Sequence, residues 1–408
     1  MSIRERQLVS MSYSSGNSSR QQLPRDAVYH LLRFACNAGT FATVQGAMGT
    51  GPALIPGFPF TLIRQLRVIR NGSDIVVSVS GKQLAKHHYY QNNAHPYARL
   101  YTTTSNVETL RTATVRGLTL PANAQGIGSN QGAFTVPDAP NATGTVSFDF
   151  QADLLFQVGV SDDYYATLLD ARPLADYAIE IDWATEAAQI ATAGTANTSS
   201  AAAFTLTVLS VDQDNVKNGV PYGTFKRSQI SYSNIPYGSQ NNQILLPRGN
   251  LLYSLMFGTE AFKAGSAVNT IAENAVLDLI ELRINTNFSL KKMTFKQFQA
   301  NNVADNGGRQ SAFDFACNGP QGFASISLHN ATESLKETIP TYAFDILDLQ
   351  VSTSALGSSQ NGVTTASTNP VIDLLIQEII PGVSMGSSGP QGSTNGSISR
   401  TSAQPMRG

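Results

Sequence analysis

The sequence predicts an all-β fold of two jelly-roll β-sandwiches in one chain, a double jelly roll, with a few short helices. Three observations predict it. Apolar and polar residues alternate with period two through most of the longer segments, the connections between those segments are long and polar, and one strand–turn–strand–helix pattern occurs twice, about half a chain apart.

The first copy runs from Leu62 to Arg67, turns at Asn71-Gly72, continues as a strand from Asp74 to Ser80 and enters a helix at Lys82-Gln83-Leu84. The second runs from Leu279 to Arg283, turns near Thr286-Asn287, has a short strand to Met293 and enters a helix at Lys296-Gln297-Phe298. Both soon meet a paired Asn, Asn92-Asn93 and Asn301-Asn302. The offset is 216 residues at Leu66/Leu282 and 214 at Lys82/Lys296.

In chain order, residues 1–57 read as an N-terminal arm with a short helix. The arm is polar and carries Arg4, Arg6, Arg20 and Arg25 against Glu5, and it has no apolar stretch of the signal-peptide kind. Val28, Leu31, Leu32 and Ala35 fall at i, i+3, i+4 and i+7, which predicts one face of a helix. Residues 58–213 then read as the first jelly roll. Val146 to Leu154, Tyr177 to Trp183 and Phe204 to Val208 alternate as half-buried strands, and Lys82 to Asn92 reads as a helix. Residues 214–225 read as a linker, with Asn218-Gly219 and Pro221 as turn chemistry.

Residues 226–382 read as the second roll. Its strand candidates are Leu245 to Phe257, Val276 to Ile284, Phe323 to Leu328, Tyr342 to Val351 and Val371 to Ile380. The alternation slips at Leu347, which predicts a bulge, and Thr294 to Asn302 reads as a helix. Residues 383–408 are Gly/Ser-rich without periodicity and are expected to be a flexible tail.

Composition excludes several function classes. Charged residues make up 13% of the 408, against roughly 25% in an average soluble protein, so much of the surface is expected to lie against neighbours. A net charge of −1 provides no general field for nucleic acid, and no sequence-specific nucleic-acid binding is expected. No run approaches 18 apolar residues, the length of a membrane-spanning helix. Cys36 and Cys317 do not make a disulfide framework and read as buried thiols.

The chemical motifs fail on their contexts. Gly382-Val383-Ser384-Met385-Gly386 matches a nucleophile elbow, but Ser387-Ser388-Gly389-Pro390 forms no helix after it and no His follows. His87 and His88 on one helix point about 100° apart, and with His95 they make a poor metal set. Asp212, Asp214 and Asn218-Gly219 begin like a calcium loop, but Val216, Lys217 and Gly223 stand where its later ligands belong. Asp162-Asp163 beside Tyr164-Tyr165 reads as a turn, because neighbours on a strand face opposite ways. No catalytic, cofactor-binding or metal residue is expected.

The paired strand–turn–strand–helix copies, the alternating strands, the long loops and the polar ends together resemble a known family. Over roughly residues 27 to 382 the chain resembles the double jelly-roll major capsid proteins of tailless icosahedral viruses with an internal membrane, of the tectivirus and corticovirus kind. The resemblance implies a homotrimer whose six jelly rolls make a pseudo-hexagonal tile of a virion shell, assembled from chains made in the host cytoplasm. It implies minor capsid and vertex proteins as further partners, and contact of an N-terminal helix or arm with an internal lipid membrane. On that template Val28 to Ala35 is the inward helix and Arg4, Arg6, Arg20 and Arg25 face the membrane or the shell interior. Leu118 to Gly144, Ala184 to Ala203 and Ser354 to Asn369 are outer or intersubunit loops. The alternative is a receptor- or glycan-binding spike or lectin-like protein built on two sandwiches, with Tyr89-Tyr90 or Tyr164-Tyr165 as its aromatic platform.

Overall fold

Period-two alternation does fold as strands, and the strands pair into two sandwiches of the same topology. A computed structural model describes residues 3–44, 57–92, 96–104, 107–111, 143–157, 166–189, 199–214, 223–262, 270–272, 276–305, 322–328, 338–355 and 369–381. The first half holds β1 (Ile3–Ser12), β2 (Ser18–Gln22), β3 (Val28–Val44), β4 (Ile63–Arg70), β5 (Asp74–Val79) and α1 (Gly81–Asn92). It continues with β6 (Tyr97–Thr104), β7 (Val107–Arg111), β8 (Thr143–Leu155), β9 (Leu169–Asp170), β10 (Tyr177–Trp183), β11 (Ser199–Ala203) and β12 (Thr205–Gln213). The second half holds β13 (Gly223–Tyr232), β14 (Asn242–Leu245), β15 (Leu251–Phe262), β16 (Thr270–Ala272), β17 (Leu277–Ile284), β18 (Phe288–Thr294) and α2 (Phe295–Asp305). It ends with β19 (Phe323–Ser327), β20 (Ile339–Pro340), β21 (Leu347–Thr353) and β22 (Val371–Pro381).

In the first roll the order β1-β12-β3-β8-β6-β7 faces the order β2-β10-β4-β5. In the second, β13-β22-β15 with β19 on β15 faces β14-β21-β17-β18. Thus β1, β2, β3, β4, β5, α1, β8, β9, β10 and β12 have their counterparts in β13, β14, β15, β17, β18, α2, β19, β20, β21 and β22. Each roll has its own core between its sheets. Trp183, Phe148 and Leu66 belong to the first, and Ile280, Leu349 and Phe257 to the second.

The repeat extends to single residues. Leu66 pairs Val79 and Ile280 pairs Met293, so both members of the pair move by 214 (66 to 280, 79 to 293). A bulge follows Val68 in one hairpin and Leu282 in the other, again 214 apart. The turns repeat too: Asn71 and Gly72 have φ of 52° and 80°, and Asn285 and Thr286 have 50° and 62°. Asn tolerates this left-handed region and Gly is free in it, which explains the first turn. The pairing corrects the match of Leu66 with Leu282, since Leu66 corresponds to Ile280. A slip of two residues keeps every side chain on its face, so alternation alone could not detect it.

Other expectations are corrected as well. Val28 to Ala35 is not a helix but part of β3. That strand runs between β12 and β8, and Tyr29, His30 and Phe34 are as buried as Val28 and Leu32. The helical spacing draws on a run buried from Ala27 to Leu32, with a bulge beside His30, after which Arg33 and Ala35 are only partly buried. The expected flexible arm contains two strands, with β1 on β12 and β2 on β10. Leu245 to Phe257 is two strands, separated at Leu246-Pro247-Arg248-Gly249, where Gly249 has a φ of 113°. The slip at Leu347 is the start of β21 rather than a bulge within it. Gly223 to Phe225 of the expected linker belongs to β13. The Leu118 to Gly144 loop up to residue 142, the Ser354 to Asn369 loop between residues 356 and 368, and the tail from Val383 lie outside the described residues.

Candidate functional site

A seam joins the two rolls. β5 and β13 run parallel, with Val77 opposite Arg227 and Ser78 opposite Ser228, so one sheet continues from the first roll into the second. Alternation along β13 turns Phe225 and Arg227 inward, at 0% and 1% exposure. The Arg227 guanidinium lies 4.2 Å over the Phe225 ring, its Nη2 donates to the Leu155 carbonyl, and its Nε donates to His87 Nε2 at 3.3 Å. Burial pulls Arg227 down to about 9, so it remains a cation at neutral pH. Burial, and then the Arg227 charge, holds His87 well below its ordinary value. The imidazole is therefore neutral and offers Nε2 as an acceptor.

Hydrogen bonds and one ion pair flank this centre. Ser80 N–H donates to Gln229 Oε1 at 2.7 Å, Arg70 Nη1 donates to Thr224 Oγ1 at 3.2 Å, and Lys82 Nζ lies 2.8 Å from Glu260. The first roll's core also takes in Met256, Phe323 and Leu375 of the second, so apolar packing crosses the seam. A Cβ on Gly258 would sit 2.9 Å from Gln83 Nε2, which shows how close α1 comes to β15.

Asp373 sits at the edge of the same cluster and accepts a hydrogen bond from Ser231. Burial, and then the Glu260 carboxylate, push it up to about 6. An unfolded Asp titrates near about 3.9. The folded chain therefore holds this proton over a range where the unfolded chain loses it. The stability it contributes is complete below about pH 4 and is lost as pH rises through about 6. Asp373→Asn should shift the melting temperature in the variant's favour between those pH values, and a melting scan against pH for variant and parent checks it.

The four arginines expected to face a membrane or interior are each engaged within the fold. Arg4 lies 2.6 Å from both Asp212 and Asp214, and Arg6 lies 2.9 Å from Asp212 and 2.5 Å from Asp26. Asp212 is fully buried beneath them. Arg20 lies 3.1 Å from Asp176, and Arg25 Nη1 donates to the Leu174 and Ala175 carbonyls at 2.6 Å. Arg248 repeats the Arg25 contact on the Phe344 and Asp345 carbonyls. The signal for this pair stands in the sequence as Leu23-Pro24-Arg25 and Leu246-Pro247-Arg248, 223 residues apart (25 to 248), a repeat that the hairpin copies do not include.

His87 and His88 are both buried, and His88 Nδ1 accepts from the Asp153 N–H at 3.1 Å. Cys36 is a buried free thiol, pushed up to about 12 by burial. His95, Cys317, Asp162 to Tyr165 and Gly382 to Gly386 lie outside the described residues. Among the described residues no three of His, Cys, Asp and Glu come together to hold a metal, and no helix is long and apolar enough to cross a membrane.

Among the described residues the three sheets end in β1 and β7, β16 and β2, and β14 and β18, and two of these edges matter below. β1 pairs only with β12, and β18 pairs only with β17. Each carries a large exposed apolar residue, Ile3 at 53% and Phe288 at 62%.

No protein-family model matches the sequence, and no curated protein matches it. Solved structures do match the fold. The STIV MCP (major capsid protein) aligns at a TM-score of 0.57 with 14% identity, over 93% of this chain and 98% of that one. A chain from the atomic structure of Sulfolobus Turreted Icosahedral Virus aligns at 0.58 with 14% identity, over 93% of this chain and 91% of that one. The major capsid protein of Bacteriophage PM2 aligns at 0.48 with 12% identity, over 93% of this chain and 98% of that one. The chain thus has the double jelly-roll fold.

Proposed function

We propose that this double jelly-roll chain is a major capsid protein, which assembles as homotrimers into pseudo-hexagonal tiles of an icosahedral virion shell. The role is structural rather than catalytic. The observation that carries the reading is the presence in one chain of two rolls with matching topology and a continuous sheet across their junction. The likeness to the STIV chains over almost the full length of both partners supports it. Two like rolls per chain let three chains present six similar faces, which suits a tile that meets neighbours on every side. A charged fraction of 13% fits a surface largely covered by those neighbours.

Minor capsid and vertex proteins would be the further partners. The same reading sets the surface around Arg4, Arg6, Arg20 and Arg25 towards the shell interior or an internal membrane. Their partners neutralise most of that charge, so only weak, salt-sensitive binding is expected. Co-sedimentation of the protein with anionic lipid vesicles checks this, and tight binding that survives high salt would overturn it. The spike or lectin-like alternative gains no support among the described residues. Negative-stain electron microscopy of the purified protein tests the tile. Particles of hexagonal outline are expected, and single two-lobed particles at every concentration would contradict it.

A further inference from the structure

The internal seam uses two strand types, and each type occurs once more in the chain with its edge free. β5 of the first roll pairs with β13 of the second. The counterpart of β5 is β18, and the counterpart of β13 is β1. We propose that β18 of one copy pairs in parallel with β1 of the next, so that the contact between copies repeats the seam within one copy. This rests on the reading of the chain as a self-assembling tile.

The register follows from the repeat. Val77 pairs Val68 as Lys291 pairs Leu282, so the β5 positions 77 and 78 correspond to Lys291 and Lys292. Lys226 pairs Glu378 and Arg4 pairs Asp212, while Glu378 and Asp212 face the equivalent residues Leu252 and Tyr29. Arg227 and Ser228 therefore correspond to Glu5 and Arg6. Within a chain Val77 meets Arg227 and Ser78 meets Ser228. Between chains Glu5 meets Lys291 and Arg6 meets Lys292.

The side chains suit this register. Glu5, which also lies 2.6 Å from Arg33 on its own chain, and Lys291 are of opposite charge, and opposite charges on neighbouring strands attract. Arg6 and Lys292 are of like charge, but each is already neutralised on its own chain, Arg6 by Asp26 and Asp212 and Lys292 by Glu281 at 3.0 Å. Gln229, whose amide oxygen accepts the Ser80 N–H across the internal seam, has Gln7 as its counterpart on β1. Ile3, half exposed, is the counterpart of Phe225, which the internal seam buries completely. The two edges differ, so the contact is head to tail and repeats around a ring.

Cysteines at Glu5 and Lys291 test the contact. Neighbouring strands lie about 4.8 Å apart, inside the roughly 4.4–6.8 Å range of Cα distances that a disulfide spans. Oxidised Glu5→Cys/Lys291→Cys protein should run as covalent dimers and trimers on a non-reducing gel, with neither single variant doing so. Light scattering on the same samples separates the outcomes. A trimer by mass without the crosslink overturns the seam and leaves the capsid reading standing, whereas a monomer by mass overturns both. Charge reversal gives a second readout with no cysteine. Glu5→Lys and Lys291→Glu should each raise the concentration at which trimers dissociate, roughly tenfold, and the double reversal should restore most of it. A double variant no better than the worse single would also overturn the seam.

Discussion

Arg227→Ala is expected to lower the unfolding free energy by about 3–5 kcal/mol, because it removes a large buried side chain and strips the buried Leu155 carbonyl of its donor. It also exposes the Phe225 ring and the His87 acceptor to a cavity at the junction of the rolls. Arg227→Met should cost much less, below about 1.5 kcal/mol, since it restores most of the volume and removes a cation that burial disfavours. Urea unfolding of both variants against the parent measures the difference. If the Ala variant unfolds at the parent's midpoint, Arg227 does not hold the seam. If Met is as damaging as Ala, hydrogen bonding rather than volume dominates there.

Gly81→Ala is expected to destabilise the first roll by about 3 kcal/mol, against the usual direction of such a change at a helix. A Cβ at Gly81 would lie 2.0 Å from the Phe60 carbonyl oxygen and 3.0 Å from Ile63. The carbonyl is backbone and cannot rotate aside. Residue 295 holds the corresponding place in the second roll and is a buried Phe, so the limit comes from the Phe60–Leu62 turn packed on α1 rather than from the helix start itself. Thermal unfolding of Gly81→Ala checks this, and an unchanged or raised melting temperature would contradict the close packing.

What the sequence revealed was decided by how local each signal is. Tyr177 to Trp183 alternates cleanly because Tyr177, Ile179, Ile181 and Trp183 face the core while Glu180 and Asp182 pair with Arg67 on the other face, and its bounds match the strand. The helices at Lys82 and Lys296 were found because each follows a hairpin turn closely. β3 reads as a helix because its start, Val28 to Leu32, is buried on both faces and loses its alternation, so that the apolar residues there fit a helical spacing. β1 and β2 read as an arm because they are polar edge strands, and the partners that order them, β12 and β10, lie more than 150 residues away (6 to 210, 20 to 180). The seam was invisible for the same reason. Nothing near Arg227 in sequence announces that Leu155 and His87 meet it, whereas the Leu-Pro-Arg pair is legible in the sequence itself.

The native mass of the purified protein, measured by size-exclusion chromatography with light scattering at low and high salt, tests the central claim most directly. The account predicts a trimer, three times the chain mass, that persists at high salt because its contacts are mainly backbone pairing and apolar burial. A monomer at every concentration and salt would contradict the capsid tile.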